Sequence, residues 1–102
     1  MSEKIQSEFG FITFHQVADF ADIHHVEVKV KYRGKGYGSK LMNEFLTLMK
    51  SRQVTDVTLE VRADHATAIA LYEKFGFKCV FVRRAYYKDG CDGLLMRKVI
   101  EC

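Results

Sequence analysis

The sequence has no proline, and its three cysteines follow no C-x-x-C spacing. Without proline, glycine is left as the main residue that marks turns. An odd number of irregularly spaced cysteines predicts neither a disulfide framework nor a zinc site, so no metal is expected. We expect Cys79, Cys91 and Cys102 to be free thiols in a reducing cytoplasm.

Long apolar runs and a dominant charge are also missing. No run approaches the roughly 18 apolar residues of a membrane span, and the first ten residues lack a signal-peptide core. The 16 Lys and Arg residues are interspersed with 13 Asp and Glu residues, so no basic arm indicates nucleic acid. The sequence therefore predicts a cytoplasmic protein without a membrane or nucleic-acid partner, whose cations could serve a polyanionic small ligand.

The chain has enough apolar residues for a packed core. It has 102 residues, of which 48% are apolar and eight are phenylalanine. This length corresponds to one domain, and the composition fits neither disorder nor low complexity. We therefore expect a single domain over residues 1–102.

The most informative stretch is Y-R-G-K-G-Y-G-S, from Tyr32 to Ser39. It lies between a β-branched run that ends at Val30 and a helical pattern that begins near Lys40. Its glycines match neither G-x-x-x-x-G-K-[ST] nor G-x-G-x-x-G. Glycine lets backbone N–H groups approach a ligand, and a helix start adds unpaired donors and a positive dipole end. These features predict a phosphate site, with a glycine-rich turn and solvated charges as the alternative.

The other patterns predict the order β-β-(loop)-α-β-α-β-β. Residues 1–8 are polar and expected to fray, apart from a short edge strand around Ile5. The helix after the glycine stretch should span about three turns and end near Arg52. A second helix, Ala66–Phe75, should be capped by Asp64 and stopped by Gly76. The predicted longer strands are Phe9–Gln16, Ile23–Lys31, Val57–Val61, Phe77–Tyr87 and Leu94–Ile100.

This order predicts a mixed sheet. The middle β-α-β unit should pair its strands in parallel through a right-handed crossover. The outer hairpins should be antiparallel. We therefore expect an α/β (α+β) fold with helices on a mostly antiparallel sheet.

Three motifs along the chain carry a family resemblance. R-G-K-G-Y-G, from Arg33 to Gly38, matches the Q/R-x-x-G-x-G/A signature of the GCN5-related N-acetyltransferase (GNAT) family. L-E-V-R-A-D-H-A-T-A-I-A-L-Y-E-K-F-G-F, from Leu59 to Phe77, is similar to the family's ribosomal-protein alanine N-acetyltransferase (RimI-like) branch. So is R-R-A-Y-Y-K-D-G-C-D-G-L-L-M, from Arg83 to Met96. The resemblance runs from about Phe9 to the C-terminus.

The resemblance implies a GNAT-type fold and an enzyme, an N-acetyltransferase with acetyl-CoA as the donor. The glycine stretch would hold the pyrophosphate of coenzyme A, and backbone groups of Val26 and Val28 would face the thioester and the pantetheine arm. Glu60 matches the general base of the branch, and Tyr72 matches its general acid. The residues implied to bind the cofactor are Val26, Val28, Arg33, Gly34, Lys35, Gly36, Tyr37, Gly38, Ser39 and His65.

The catalytic roles have alternatives. Glu60 could point to solvent or pair with Arg62 or Lys78, and Tyr72 has a helical spacing typical of a core residue. Glu27 is a rival base because it lies near the implied thioester, although a solvated strand charge is its plainer interpretation.

Further side chains could belong to the site or lie beside it. His24 and His25 could move protons, although paired histidines on a strand are more often at the surface. Tyr86 and Tyr87 match a tyrosine pair that lies near the substrate in the branch, and cross-strand packing is their alternative. Arg33 and Lys35 could add charge at the phosphates or be solvated.

The sequence departs from the family in three places. The family's N-terminal strand and two helices have no counterpart before Phe9. The resemblance therefore implies a truncated form, with a substrate groove that is more open or is completed by another subunit. A bare sheet edge favours a homodimer. His65 stands where the branch has an asparagine that helps hold the coenzyme arm, and Val30 replaces a proline.

These expectations lead to direct transfer, in a ternary complex, of an acetyl group to a primary amine. An α-amino group has a pKa of about 7.8, so neutralising it at pH 7 costs about 1 kcal/mol, against about 4.5 kcal/mol for lysine. A modest base such as Glu60 therefore suits a protein N-terminal α-amine. The alternatives are a small-molecule amine as acceptor and a non-catalytic CoA-binding module.

Overall fold

The computed structural model describes residues 2–101, which form one six-stranded sheet and two α-helices. The helices are α1 (Tyr37–Ser51) and α2 (Ala66–Lys74). The strands are β1 (Ser2–Ser7), β2 (Gly10–Val17), β3 (Phe20–Val28), β4 (Asp56–Arg62), β5 (Lys78–Arg83) and β6 (Gly93–Val99).

The strands lie across the sheet in the order β1-β2-β3-β4-β6-β5. Within residues 2–101, β3 and β4 are the one parallel pair, and the other neighbours are antiparallel. The chain passes from β3 to β4 through α1, which is the crossover that the β-α-β pattern predicts. The predicted mixed and mostly antiparallel sheet is therefore confirmed.

Both helices contribute to one hydrophobic core. Phe45 of α1 and Tyr72 of α2 are buried in the same cluster as Phe14 of β2 and Leu59 of β4. Because side chains alternate along a strand, Glu60 lies on the other side of the sheet from this core. We call the core side the helix face and the opposite side the open face.

A β-bulge separates the second half of β3 from β4. Thr13 of β2 is opposite His25 whereas Phe14 is opposite Ile23, so His24 is an extra residue in β3. Such a bulge bends a strand and increases its twist.

The parallel pairing is accordingly short. It runs from Phe20 opposite Asp56 to Ile23 opposite Leu59. Both strands continue beyond this point without facing each other. The result is a gap between residues 24–28 of β3 and residues 60–62 of β4, which we call the cleft.

Some predicted boundaries were wrong near the first helix and at the N-terminus. The edge strand expected around Ile5 is present as β1, but it covers Ser2–Ser7, so most of the segment expected to fray is paired with β2. β3 ends at Val28 and not at Lys31, because the Tyr32 N–H donates to the Lys29 carbonyl in a short 3-10 turn. α1 begins at Tyr37, three residues before the predicted start.

Two more boundaries differ near the second helix. His65, not Asp64, is the N-cap of α2, because the Asp64 carboxylate accepts hydrogen bonds from Arg62 instead. Gly76 has a φ of +91°, which confirms it as the stop signal. β5 ends at Arg83 rather than Tyr87, since Ala85 has a φ of +50° that an extended strand does not accommodate.

No helix within residues 2–101 combines the length and the apolar character needed to cross a membrane. Cys79 and Cys91 are free thiols, whereas Cys102 lies outside the described residues and its state stays a prediction. In the described part of the chain, no three His, Cys, Asp or Glu side chains group closely enough to hold a metal ion.

Candidate active site

The glycine stretch follows β3 and leads directly into α1. Gly34 has a φ of +76° and Gly36, the N-cap of α1, has a φ of +82°. Glycine adopts this left-handed region without the steric cost that other residues incur. A Cβ added at either position would meet no atom within 4 Å, so the backbone conformation, and not crowding, calls for glycine here.

The backbone N–H groups of residues 34–39 are available to a ligand. Among the hydrogen bonds within residues 2–101, none is donated by these six groups, and the Lys40 N–H is the first to bond, to the Gly36 carbonyl at 3.3 Å. Three of the six begin α1, where the positive end of the helix dipole lies. This arrangement suits a phosphate group.

Side chains of the glycine stretch fix its position rather than cover its N–H groups. The Tyr37 ring lies 4.4 Å from the Phe9 ring. The Ser39 hydroxyl accepts a hydrogen bond from Lys74 Nζ of α2 at 3.3 Å. A Cβ on Gly38 would come 3.3 Å from Leu71 of α2. The second helix therefore packs directly against the start of the first.

The cations around the stretch have different surroundings. Arg33 Nε donates a hydrogen bond to the Val28 carbonyl at 2.8 Å, so its guanidinium is not simply solvated. Lys40 Nζ lies 5.3 Å from the Tyr37 ring centre, whereas Lys35 is an exposed residue between the two left-handed glycines. These side chains add positive charge beside the free N–H groups.

Val26 and Val28 lie on the β3 side of the cleft. They are opposite Ile12 and Gly10 of β2, and their side chains pack partly against the core. The bulge has already separated this part of β3 from β4. Backbone groups that point away from β2 can therefore face a ligand in the cleft.

Glu60 lies on the β4 side of the cleft, on the open face. Its Oε1 accepts a hydrogen bond from Arg83 Nε at 3.1 Å. The pairing considered with Arg62 or Lys78 is therefore wrong, and β5 supplies the partner. The Glu60 side chain is 29% exposed, so an acceptor can still approach it.

Tyr72 is buried on the helix face. Its side chain is 8% exposed and its ring packs edge-to-face with Phe77 at 6.0 Å. Burial raises the pKa of the Tyr72 phenol above its usual value, so the hydroxyl keeps its proton at neutral pH. The side chain belongs to the core, and its role as a proton donor stays a prediction.

Two tyrosines of the β5–β6 connection contact each other, and Tyr87 lies within electrostatic range of Glu60. The Tyr86 and Tyr87 rings are 5.2 Å apart and nearly perpendicular. Burial, followed by the nearby Glu60 carboxylate, raises the pKa of Tyr87. A Cβ on Gly93 of β6 would come 3.1 Å from Cδ2 of Tyr86, so this glycine leaves room for the ring.

The other candidate residues are placed differently. Glu27 Oε1 lies 3.4 Å from His25 Nε2, and His24 lies 3.6 Å from Asp22, with both histidines exposed. His65 is exposed at the start of α2, and its side chain makes no capping hydrogen bond within the described residues. These positions agree with the surface interpretation of the histidine pair.

The comparisons with known proteins agree on one family. The profile described as the Acetyltransferase (GNAT) family matches residues 9–77. These residues include the glycine stretch, Glu60 and Tyr72. The chain belongs to the GNAT acetyltransferase family.

Curated relatives of this GNAT chain are bacterial and archaeal. The [ribosomal protein bS18]-alanine N-acetyltransferase of Escherichia coli is 39% identical over 76% of this chain and 53% of its own length. An N-alpha-acetyltransferase of Saccharolobus solfataricus is 38% identical over 89% of this chain and 57% of its own. The chain thus spans about half the length of these relatives.

Solved GNAT structures share the fold. The crystal structure of the ribosomal-protein-S18-alanine N-acetyltransferase from Escherichia coli superposes with a TM-score of 0.87 and 34% identity. The superposition covers 96% of this chain and 66% of that one. The resemblance to the RimI-like branch is therefore confirmed in sequence and in structure.

Sequence reasoning missed two arginines of this GNAT site. Arg83 contacts Glu60, and its guanidinium lies 5.5 Å from the Tyr86 ring centre. Arg62 lies 4.8 Å from the Tyr87 ring centre. Both belong to the motifs that carry the resemblance, and this was the available signal, but their partners depend on the sheet order.

Proposed function

We propose that this protein is an acetyl-CoA-dependent N-acetyltransferase that moves an acetyl group to a primary amine. The supporting observation is the row of backbone N–H groups at residues 34–39, which have no hydrogen-bond acceptor within the described residues. They follow the end of β3, after this strand has separated from β4, and they continue into the start of α1. Membership of an acetyltransferase family supports the same conclusion.

The residues present fit coenzyme A. A diphosphate needs several N–H donors that converge, and the left-handed Gly34 and Gly36 turn the chain so that such donors follow one another. Tyr37, Gly38 and Ser39 continue the row into the helix, and Arg33 and Lys35 add positive charge. We assign His65 a contact with the coenzyme arm from the resemblance alone, because the contacts between α2 and the glycine stretch come from Leu71 and Lys74, further along the helix.

The proposed catalytic groups lie on different faces of the sheet. When bound, acetyl-CoA supplies the acetyl group as a thioester. A backbone N–H of β3 near Val26 or Val28 polarises the carbonyl, as an oxyanion-hole donor does. Glu60 receives the amine proton on the open face, directly or through one water. Tyr72 donates its proton to the departing sulfur on the helix face.

With these assignments the acetyl group passes directly to the amine, and no covalent enzyme intermediate is required. The nitrogen–carbon bond would form first and the carbon–sulfur bond would then break. Glu60 would take one proton from the amine and Tyr72 would give one to the sulfur, and exchange with solvent would return a proton to Tyr72 and remove one from Glu60. Glu27 is the rival base. Its carboxylate lies 3.4 Å from His25 Nε2 and that of Glu60 lies 3.1 Å from Arg83 Nε, so the partners do not decide between them. We retain Glu60 because it matches the general base of the RimI-like branch.

The acceptor that we propose is a protein N-terminal α-amine. Such an amine loses its proton at neutral pH at a cost of only about 1 kcal/mol, which suits a carboxylate base. Relatives named as N-alpha-acetyltransferases and as a ribosomal-protein alanine N-acetyltransferase support this substrate class. A small-molecule amine is the next candidate.

One observation favours a second candidate, a CoA-binding module without catalysis. Oε1 of Glu60 already accepts a hydrogen bond from Arg83 at 3.1 Å, so this oxygen is occupied and is not free to receive a proton from the acceptor. In this case the coenzyme would bind but no acetyl group would be transferred.

Single-turnover acetylation separates the two candidates. The protein is mixed with radiolabelled acetyl-CoA and with matched peptides that differ only in a free or a blocked N-terminus, and with polyamines. We expect label on the free peptides alone. Binding of acetyl-CoA without transfer to any acceptor would contradict the enzyme and leave the module, and label on polyamines alone would replace the proposed acceptor.

The remaining partners are also proposals. The edge strands β1 and β5 are open to pairing with a second copy, and we propose a homodimer through one of them. Sedimentation velocity across a concentration series tests this, and a constant monomer would contradict it. A single domain over residues 1–102, a cytoplasmic location and the lack of a nucleic-acid partner stay predictions.

A further inference from the structure

The β5–β6 connection, residues 84–92, carries Tyr87, which is within electrostatic range of Glu60, and Tyr86, whose ring lies against the guanidinium of Arg83, the partner of Glu60. It forms no strand or helix, and most of its residues are exposed. An exposed connection that carries substrate-facing side chains needs specific contacts to keep them in place.

Arg62 is the side chain that ties this connection to the rest of the protein. Its Nε and Nη2 bond the two carboxylate oxygens of Asp64 at 3.1 and 3.2 Å. Nη2 also bonds Oδ2 of Asp89 at 2.6 Å, and the guanidinium lies 4.8 Å from the Tyr87 ring centre. One planar cation therefore joins the start of α2 to the connection.

The connection is organised to present Asp89 to this cation. The Cys91 N–H donates to Oδ1 of Asp89 at 3.1 Å, which leaves Oδ2 for Arg62. The Tyr87 N–H donates to the Cys91 carbonyl at 3.1 Å. The segment from Tyr87 to Cys91 is thus a closed turn whose main side-chain anchor is Arg62.

A second attachment holds the C-terminal end of the connection. The Ala63 N–H donates to the Asp92 carbonyl at 2.9 Å, and Oδ1 of Asp92 accepts from the Ala85 N–H at 2.8 Å. These contacts fix the base of the turn and do not involve Arg62. Loss of the Arg62 contacts should therefore loosen the turn without detaching it.

The anchor and the proposed base share one strand face. Arg62 follows Glu60 by two residues on β4, so both side chains leave the sheet on the open face. The Tyr87 ring lies against Arg62 and within electrostatic range of Glu60. A displacement of the turn would therefore move Tyr87 relative to Glu60.

We propose that Arg62 is a positioning residue for the acceptor: by binding Asp89 and the Tyr87 ring, it holds the β5–β6 connection over the open face beside Glu60. This inference rests on the proposed function for its kinetic consequence. Its structural part concerns this chain alone. Arginine suits the task because its planar fork bonds two carboxylates while its face stacks on an aromatic ring.

The test compares variants of the two carboxylates that share the guanidinium. Asp89→Asn loosens the connection, whereas Asp64→Asn changes the same cation on the α2 side and is the comparison variant. Because the Asp64 carboxylate also lies beside the Cys91 side chain, Cys91→Ala is measured with it to separate that contact from the Arg62 contact. Arg62→Gln removes the anchor. Arg62→Lys keeps the positive charge but lacks the planar group that bonds two carboxylates. For each variant, hydrogen–deuterium exchange of residues 84–92 is measured, together with KM for a peptide acceptor, KM for acetyl-CoA, and kcat.

We expect faster exchange in residues 84–92 for Arg62→Gln and Asp89→Asn, and little change for Asp64→Asn. Acceptor KM should rise about tenfold in the first two variants, with kcat and acetyl-CoA KM within about twofold of the wild type. Arg62→Lys should raise the acceptor KM less than Arg62→Gln does, but the KM should stay above the wild-type value.

If hydrogen–deuterium exchange of residues 84–92 is unchanged in Asp89→Asn, the claim that Arg62 anchors the connection through Asp89 is wrong. Faster exchange with an unchanged acceptor KM, or equal effects of Asp64→Asn and Asp89→Asn, would overturn the positioning role. If the wild-type protein acetylates no acceptor, the proposed function fails and the positioning role fails with it, while the exchange rates still show whether Arg62 anchors the connection.

Discussion

The proposed coenzyme site and the proposed acceptor site use different chemical groups. The proposed coenzyme side, residues 33–39, offers backbone N–H groups whose direction is set by two left-handed glycines and a helix start. The acceptor side offers side chains from β4, β5 and the β5–β6 connection, held by arginine contacts. Backbone recognition tolerates side-chain changes but not changes of φ, whereas side-chain recognition has the opposite sensitivity.

The largest expected effect is a loss of acetyl-CoA affinity caused by a substitution on the proposed coenzyme side alone. Gly36→Val places a β-branched residue at a φ of +82°, which such residues rarely adopt. We expect acetyl-CoA affinity to fall at least about 100-fold as the N–H row is displaced, with the fold retained because a Cβ there meets nothing within 4 Å. Isothermal titration calorimetry measures the affinity, and circular dichroism the fold.

The matched control for that variant is Gly90→Val on the acceptor side. Gly90 has a φ of +86° and the same open surroundings, so the strain is equal. Acetyl-CoA affinity should stay at the wild-type value while acceptor KM rises. Equal loss of coenzyme affinity in both variants would contradict the assignment of the N–H row.

The next effect concerns chemistry rather than binding. Tyr72→Phe removes one hydroxyl from a buried ring, and we expect kcat to fall about 100-fold, as for the loss of a general acid. Acetyl-CoA affinity should change less than about twofold, because the core packing is kept. Tyr32→Phe removes a hydroxyl elsewhere and should leave kcat unchanged. Rapid-quench kinetics distinguishes the two, and an unchanged rate in Tyr72→Phe would remove Tyr72 from the mechanism.

A smaller effect should be confined to the acceptor side. Gly93→Ala puts a Cβ 3.1 Å from Cδ2 of Tyr86, so the ring must shift by a few tenths of an ångström. We expect acceptor KM to rise about threefold, since small misplacements weaken substrate positioning. In a Tyr86→Ala background the same substitution should have no further effect. A further rise in that background would show that the crowding acts on another group.

The smallest effect is a pH dependence of the connection. The Arg62 guanidinium holds the pKa of Asp64 and of Asp89 below the usual range. The ion pairs therefore contribute fully above the ordinary aspartate pKa and are lost as pH falls through the lowered values. Carboxyl-carbon NMR should show Asp89 titrating below its usual pKa, and Arg62→Gln should raise its pKa toward that value without fully reaching it, because the Cys91 N–H still donates to Asp89. An identical titration in both proteins would contradict the pairing.

The conformation of the proposed coenzyme side could be predicted from the sequence because its determinants are local. Glycines, cations and the start of a helical pattern follow one another within Tyr32–Lys40, so a turn leading into a helix can be predicted from this stretch alone. The start of α1 was still placed three residues late, because Gly36 caps the helix through its φ and not through a side chain. The parallel β-α-β unit followed from element order alone.

The acceptor side could be predicted only in part. Resemblance pointed to Glu60, Tyr86 and Tyr87, but not to their partners. Arg83 reaches Glu60 because β6 lies between β4 and β5 in the sheet, and this order is not written in local patterns. The local sequence predicts Asp64 as a helix cap. Its hydrogen bond with Arg62, which competes with capping, belongs to a set of tertiary contacts that local patterns do not show.

The most direct test of the account is an acetyl-CoA titration followed by amide NMR of the uniformly nitrogen-15-labelled protein, with pantetheine as the control that lacks phosphate. We predict that acetyl-CoA shifts the backbone N–H resonances of residues 34–39 strongly and that pantetheine at the same concentration leaves them in place. Shifts that spare these residues, or equal shifts with both ligands, would contradict the binding of a diphosphate by this row of N–H groups.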